Sequence, residues 1–291
     1  MLEKTLIKVL NMKKFLILII TVVAFFQISI KAQDGACGTS VSSAQVTLEN
    51  SISLPSIKPN ESTSLLNTEL SVTVYIIKDD AGLDGIDVAA INTAFTKLNS
   101  AFSSVKLKFR ICNTVSINNY QFNNLNAGQN EKDLTIQYNS KNTINLYFAS
   151  TLVDKEGNLV PGYSYMPADQ IDAIFLDKDF ITGNELIHQV GHFLGLYHTH
   201  EIIFGAELVN DVSCQNTGDR CCDTPADPRI AGAFDNKCDY TGSAKDSKNN
   251  FYVPSINNYM SLGNDVCRCV FTNDQLNRVI YTLKNQKKHL W

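Results

Sequence analysis

Clustered lysine and arginine are missing from this 291-residue chain, whose formal net charge is −4. A surface built for a phosphate backbone needs such clusters, so the composition argues against a nucleic-acid partner. There is also no heptad seam and no internal repeat, which removes coiled coils and solenoids. The apolar run Phe15–Phe26 is twelve residues long, short of the ~18 or more residues a membrane-spanning helix needs. Histidine is scarce, with five in all, and tryptophan is single. What remains is an ordinary globular composition, 44% apolar and 19% charged, long enough for one large domain with additions.

The N-terminus has the layout of a secretory signal. Lys13 and Lys14 precede the apolar run, and Ala32 offers a small residue for cleavage. Residues 1–32 are therefore expected to be a signal peptide, with no membrane anchor left after cleavage and an extracellular destination. Eight cysteines suit that oxidising setting. Six lie in the C-terminal third: Cys214, Cys221, Cys222, Cys238, Cys267 and Cys269. Their connectivity is open, although Cys221 and Cys222, being adjacent, should each reach a different partner.

Residues 33–68 are polar and serine-rich, with Pro55 and Pro59, and read as a loosely structured pro-segment. A β-rich run follows at Ser71–Ile77. Asp87 begins a helical pattern carried by Ala90, Ile91, Phe95, Leu98 and Phe102. Val105–Ile111 alternates as a half-buried strand should, and Thr143–Phe148 and Ala173–Leu176 are further strands. Thr272-Asn273-Asp274-Gln275 is a capping-box pattern opening a last helix. This order gives an α+β fold for residues 69–291.

Four of the five histidines fall within thirteen residues, in His188-Gln189-Val190-Gly191-His192-Phe193-Leu194-Gly195-Leu196-Tyr197-His198-Thr199-His200. His188 and His192, four apart, share one face of a helix and can grip one zinc ion. Gly195 lets the chain turn so that His198 returns as a third ligand. Three protein ligands leave a fourth position for water, the mark of a catalytic rather than a structural zinc. His200 is read as a surface residue, because a fourth ligand would close that position. The residue after His188 in such a motif is a glutamate that takes a proton from the water; here it is Gln189, which keeps the shape and cannot accept the proton. A positioned base contributes ~10²–10⁴ in rate. Glu185, one turn earlier, is the nearest other carboxylate in sequence but sits on the wrong turn to reach the water easily.

The extended histidine motif, with Asn258-Tyr259-Met260-Ser261 downstream as a Met-turn, resembles the metzincin zinc proteases. Within them the chain is most similar to the pappalysin family, through Cys222-Asp223-Thr224-Pro225-Ala226-Asp227-Pro228 and through Cys267 and Phe271-Thr272. The resemblance covers about residues 70–291. It implies an upper subdomain with a twisted mixed sheet and helices, including the zinc helix. A small irregular, disulfide-rich lower subdomain lies beneath, with a peptide or protein substrate bound between them. It implies zinc on His188, His192 and His198 and an apolar floor at Met260. Calcium occurs in some relatives, so Asp211, Asp219, Asp223 and Asp227 are either its ligands or solvated loop carboxylates. Relatives with an element like Cys37-Gly38-Thr39 suggest a zymogen in which the Cys37 thiolate fills the fourth zinc position; the rival is a Cys37–Cys112 disulfide. The chain departs from the family at Gln189 and at Leu262, where many metzincins carry an oxyanion-stabilising tyrosine. Two readings follow: a secreted zinc metalloendopeptidase weakened or silenced at its base, or a pseudoprotease that binds peptides without cutting them.

Overall fold

Alternating and continuous apolar runs set the framework. The computed structural model describes residues 37–52, 66–210, 213–230 and 232–291. All of them lie in one unit, Ala32–Trp291. The expected signal peptide and Asp211 fall outside the described residues. The strands are β1 (Thr68–Lys78), β2 (Leu107–Asn118), β3 (Asn124–Asn126), β4 (Ile144–Ala149), β5 (Thr151–Val153), β6 (Gly162–Ser164) and β7 (Ala173–Asp177). Around them lie α1 (Ser43–Ser51), α2 (Val88–Ala101), α3 (Tyr120–Asn123), α4 (Asn130–Tyr138), α5 (Glu185–Phe193) and α6 (Asn273–Asn285).

Five strands make a mixed sheet in the order β2-β1-β4-β7-β6. The first four run parallel, and β6 lies antiparallel along β7 at the edge. Every residue of β4 is buried, as expected of a central strand covered on both faces. On one face Leu70, Val72, Val74 and Ile76 pack with Ile91, Phe95 and Leu98 of α2, Ile187 and Val190 of α5, and Val279 and Leu283 of α6. On the other, Tyr75, Tyr147, Phe175 and Tyr163 stack across β1, β4, β7 and β6 with ring centroids 4.4, 5.2 and 4.7 Å apart. This cross-strand ladder ties a three-residue edge strand to the sheet. Among the described residues, no helix is long and apolar enough to cross a membrane.

The helix ends follow sequence chemistry. Asp87 caps α2 by accepting the Ala89 N–H at 2.9 Å. Thr272 and Gln275 form the expected capping box on α6, which ends at Asn285. Residues 199–272 have little regular structure. Disulfides Cys214–Cys222 and Cys238–Cys267 cross this stretch. Cys222 has its separate partner, but Cys221 has none: its thiol is free and buried, a correction to the expectation that both pair.

The expected loose pro-segment is also corrected. Its residues 43–51 form α1, capped by Ser42, whose Oγ accepts the Gln45 N–H at 3.1 Å. Two polar residues one turn apart, Gln45 and Glu49, make the buried face of α1. Gln45 donates to Tyr197 Oη at 2.9 Å and accepts from Ala168 N at 3.0 Å. Glu49 pairs with Arg278 at 2.5 Å and lies 3.8 Å from Arg220. Both members of the Glu49–Arg278 pair are almost fully buried, so removing one strands the other in a low-dielectric site. E49A is expected to cost about 3–5 kcal/mol, read as a lower thermal midpoint and faster proteolysis within residues 37–52. An unchanged midpoint would show that α1 is only loosely docked.

Candidate metal centre

Helix α5 carries His188 and His192 one turn apart on its inner face, both buried. The chain then turns at Gly195, whose φ is +88°, a left-handed conformation that glycine adopts without strain. Gly195 N and Leu196 N close the turn on His192 O and Gly191 O, each at 2.9 Å. His198 comes back over the helix as expected, and the three imidazoles meet. His192 Nε2 is 3.1 Å from His188 Nε2 and 3.1 Å from His198 Nε2.

The outer ring nitrogens fix the tautomers. His188 Nδ1 lies 2.7 Å from Tyr259 O, and His192 Nδ1 lies 2.8 Å from Leu196 O. A carbonyl only accepts, so each Nδ1 is protonated and donates, leaving the Nε2 lone pairs facing inward. Burial pushes all three rings below the usual imidazole value, His192 to about 4. They are neutral bases whose lone pairs point at one another, a donor set that suits a shared cation.

Cys37 completes the set. Its Sγ lies 3.5 Å from His192 Nε2. Among the described residues, Cys37, His188, His192 and His198 are the one group of three or more such ligand residues whose atoms lie close enough to share an ion, all within 4.8 Å. Cys112, its proposed disulfide partner, is free and exposed, and its Sγ lies 3.4 Å from Val72 O. The disulfide alternative is therefore not the arrangement seen. Burial and the Glu185 carboxylate push the Cys37 thiol up to about 11, so a nearby cation is what would favour its thiolate.

The two residues after Cys37 lie against edge strand β6. Gly38 N donates to Gly162 O at 3.0 Å, and Ser164 N donates to Thr39 Oγ1 at 2.9 Å. Thr39 Oγ1 in turn donates to Gln189 Oε1 at 2.8 Å. The Gln189 amide nitrogen donates to Cys37 Sγ at 3.3 Å and to Glu185 Oε1 at 2.7 Å. Glu185 is buried beside Arg268, 3.4 Å away. Its burial raises its pKa, which Arg268 and Gln189 oppose. Thr39, Arg268 and the Tyr259 carbonyl were invisible to sequence reasoning, because each reaches the centre from a distant part of the chain.

Met260 lies under the imidazoles with no exposure, against Gly191. Its backbone N–H donates to Asn258 Oδ1 at 2.8 Å, and Asn258 exchanges two hydrogen bonds with Gln275 of α6 at 2.9 and 3.1 Å. Leu262 packs into an apolar cluster with Ile230, Ile256 and Cys267. His200 stays outside the ligand group and is half-buried: its ring stacks on His198 at 4.8 Å, and its Nδ1 is buried without a partner. Of the candidate calcium ligands, Asp219 accepts from Cys221 N and Thr224 Oγ1, and Asp227 from Thr199 Oγ1 and Arg229 N. Both are buried, Asp223 is exposed, and Asp219, Asp223 and Asp227 form no ligand group.

The turn at Gly195 sets where His198 lands. A Cβ there would sit 2.6 Å from Thr282 Oγ1, on a backbone that side chains rarely adopt. G195A should lower stability by ~1–3 kcal/mol and bound metal by at least roughly tenfold, by analogy with lost outer-shell support. Calorimetry and elemental analysis check both, and full metal occupancy would show that the turn is not limiting.

A family model described as pregnancy-associated plasma protein-A matches residues 128–284, more than half of the chain. An extracellular metalloprotease of Trichophyton verrucosum is 26% identical over 270 residues, which cover 86% of this chain and 91% of that protein. Pappalysin-1 of Mus musculus is 27% identical over 169 residues, 52% of this chain but 10% of that protein. Among solved structures, mature mirolysin of Tannerella forsythia in complex with a cleaved peptide superposes with a TM-score of 0.56 at 15% identity, covering 79% of this chain and 96% of that one. That likeness speaks for the metzincin fold. By the family match, with the histidine centre in its place on that fold, the chain belongs to the pappalysin family of extracellular metalloproteases.

Proposed function

We propose that this chain is the latent precursor of a zinc metalloendopeptidase whose proton-accepting glutamate is replaced by Gln189, leaving peptide hydrolysis strongly weakened. The observation that carries this reading is the convergence of three imidazoles, with His192 Nε2 3.1 Å from each of the other two Nε2 atoms and 3.5 Å from Cys37 Sγ, all within 4.8 Å. Tetrahedral zinc with nitrogen ligands at about 2.0–2.1 Å and sulfur at about 2.3 Å has edges of roughly 3.3–3.6 Å, so the donor set fits. His188, His192 and His198 would hold the ion, with Met260 as their apolar floor. When bound, zinc supplies Lewis-acid polarisation of a peptide carbonyl and a water of lowered pKa.

The protein's own groups do the rest. Tyr259 O and Leu196 O hold two imidazoles in the ligating tautomer. Cys37 occupies the fourth direction, while Gly38 and Thr39 take up hydrogen bonds of β6. On this reading, loss of residues 33–68 frees Gly162 O and Ser164 N for an extended peptide, which adds to the sheet edge as a strand. Gln189 would orient a water and accept no proton from it. The alternative, a pseudoprotease, is favoured by one further observation: Leu262 packs inward and supplies no hydroxyl for an oxyanion. Calcium has no part in this reading, since Asp219 and Asp227 already accept internal hydrogen bonds.

Purified precursor should contain one zinc per chain by elemental analysis, and H192A should contain almost none. Metal-free wild-type protein prepared without chelators would refute the proposal. Latency has its own check at Gly38, where a Cβ would lie 2.8 Å from Val160 Cγ2 and 3.3 Å from Gly162 O. G38A should lift the segment from β6 and make Cys37 react with a thiol reagent at least about tenfold faster, the slow wild-type rate reflecting its burial. Equal reactivity in the two proteins would separate Cys37 from the edge-strand contact.

A further inference from the structure

Both N–H groups of the Gln189 amide are engaged, and its carbonyl accepts one bond. Its carbonyl accepts from Thr39, and its amide nitrogen donates to both Glu185 and Cys37. Toward that nitrogen both Glu185 and Cys37 act as acceptors, one through a carboxylate oxygen and the other through a sulfur turned toward the centre. Position 189 therefore needs a donor, and a carboxylate has none. A glutamate placed on the same rotamer would set two carboxylate oxygens about as close as the present 2.7 Å contact. Residue 189 is fully buried and residue 185 is 5% exposed. Water is excluded, and Arg268, already 3.1 Å from Asp265, is the cation at hand. Like charges at that distance in such a site repel strongly.

We propose that Glu185 is a positioning residue that dictates the amide at position 189, so that the 185–189 pair, and not position 189 alone, decides whether this centre can carry a proton acceptor. The idea rests on the metalloprotease reading given above. Restoring the family's glutamate by itself would put a carboxylate against Glu185. Exchanging the two groups would keep one amide, one carboxylate, the same net charge and the same hydrogen bond, with donor and acceptor reversed. The exchange also moves the carboxylate to the residue adjoining His188, and Thr39 can still donate to it.

The test compares the full-length wild type with Q189E, E185Q and the exchange E185Q/Q189E. Thermal midpoint and folded yield are measured on each. Hydrolysis of a quenched peptide is measured with each combined with C37A and G38A, which remove the sulfur from the fourth direction and lift the segment from β6. The expected result is a midpoint for Q189E below both the wild type and the exchange. In kcat the exchange should exceed Q189E at least about tenfold, a fraction of the ~10²–10⁴ a well-placed base supplies, while KM stays within about threefold because peptide contacts are untouched. Failure of Q189E to fold while the exchange folds supports the proposal equally. Q189E matching or surpassing the exchange in midpoint and kcat overturns it, as does an exchange that fails to fold where Q189E succeeds. Zinc content separates the two readings. Absence of metal throughout defeats the metalloprotease reading, while the order of midpoints still decides the pairing. With metal bound and cleavage absent in all variants, the order of midpoints is again decisive.

Discussion

Three imidazole lone pairs aimed at one point are the constraint on which the rest of this molecule turns. Neutral nitrogens at 3.1 Å with no proton between them repel, and a folded chain holds them so only if other bonds fix the rings. Those bonds come from backbone carbonyls, Tyr259 O for His188 and Leu196 O for His192. Each carbonyl is placed by a separate local device. The Leu196 carbonyl is set by the left-handed turn at Gly195. That of Tyr259 is set by the Met-turn, whose Asn258 is pinned to Gln275. Gln275 is also the last residue of the capping box of α6. One glutamine therefore couples the start of the last helix to the orientation of a ligand 87 positions earlier in the chain.

Much of this was legible because it is local. The i, i+4 histidines, the turn glycine and the third histidine lie within eleven residues, and α2, α6 and the buried strands announce themselves by period and caps. What escaped is what depends on partners far away or on polar faces. Helix α1 has no apolar stripe; its buried side chains are Gln45 and Glu49, so hydrophobic periodicity passes over it. The pattern Ser42-Ser43-Ala44-Gln45 was a usable start signal. Edge strand β6 is three residues long and stands by stacking Tyr163 on Phe175, which no window of sequence displays. Cysteine pairing followed the loop geometry of residues 199–272, and Cys221 is left over because it faces inward. His200 is half-buried against its ring partner, His198, a contact that two positions across a turn do not display in sequence.

The N-terminal segment is held by two anchors of different character. At one end Cys37, Gly38 and Thr39 meet the metal centre and β6 through hydrogen bonds that an extended peptide could also make. At the other, Glu49 enters the body and pairs with Arg278, 229 positions along the chain. The first anchor is sensitive to whatever occupies the centre. The second is not, since Glu49 is buried against Arg278 and Tyr197, away from the lone pairs. A segment anchored only at the metal would be displaced by any good ligand; the buried ion pair makes displacement also require parting Arg278 from the carboxylate it is bonded to. On the proposed reading, latency would be a property of the fold's interior as much as of the cation.

Binding and proton transfer are separable properties of such a centre, and on the proposed reading this chain separates them. Ligation needs neutral imidazoles and a floor, and both are intact. Peptide alignment needs a strand edge, and β6 is one, here engaged by Gly38 and Thr39. Proton transfer needs a carboxylate one residue from His188, and there the chain has an amide whose donors answer a carboxylate one turn back. A single exchanged residue in an otherwise fitted site would leave a mismatch, such as a donor facing a donor or an amide hydrogen with nothing to meet. Gln189 leaves none: each of its polar atoms has a partner, and the acid that uses its N–H is itself paired to Arg268. Leu262 is fitted in the same sense, since it fills an apolar cluster where a hydroxyl would need a partner of its own. Fit on both sides of the centre means that the surroundings match the residues present, which is what a sequence shaped around them, rather than one merely missing its base, would look like.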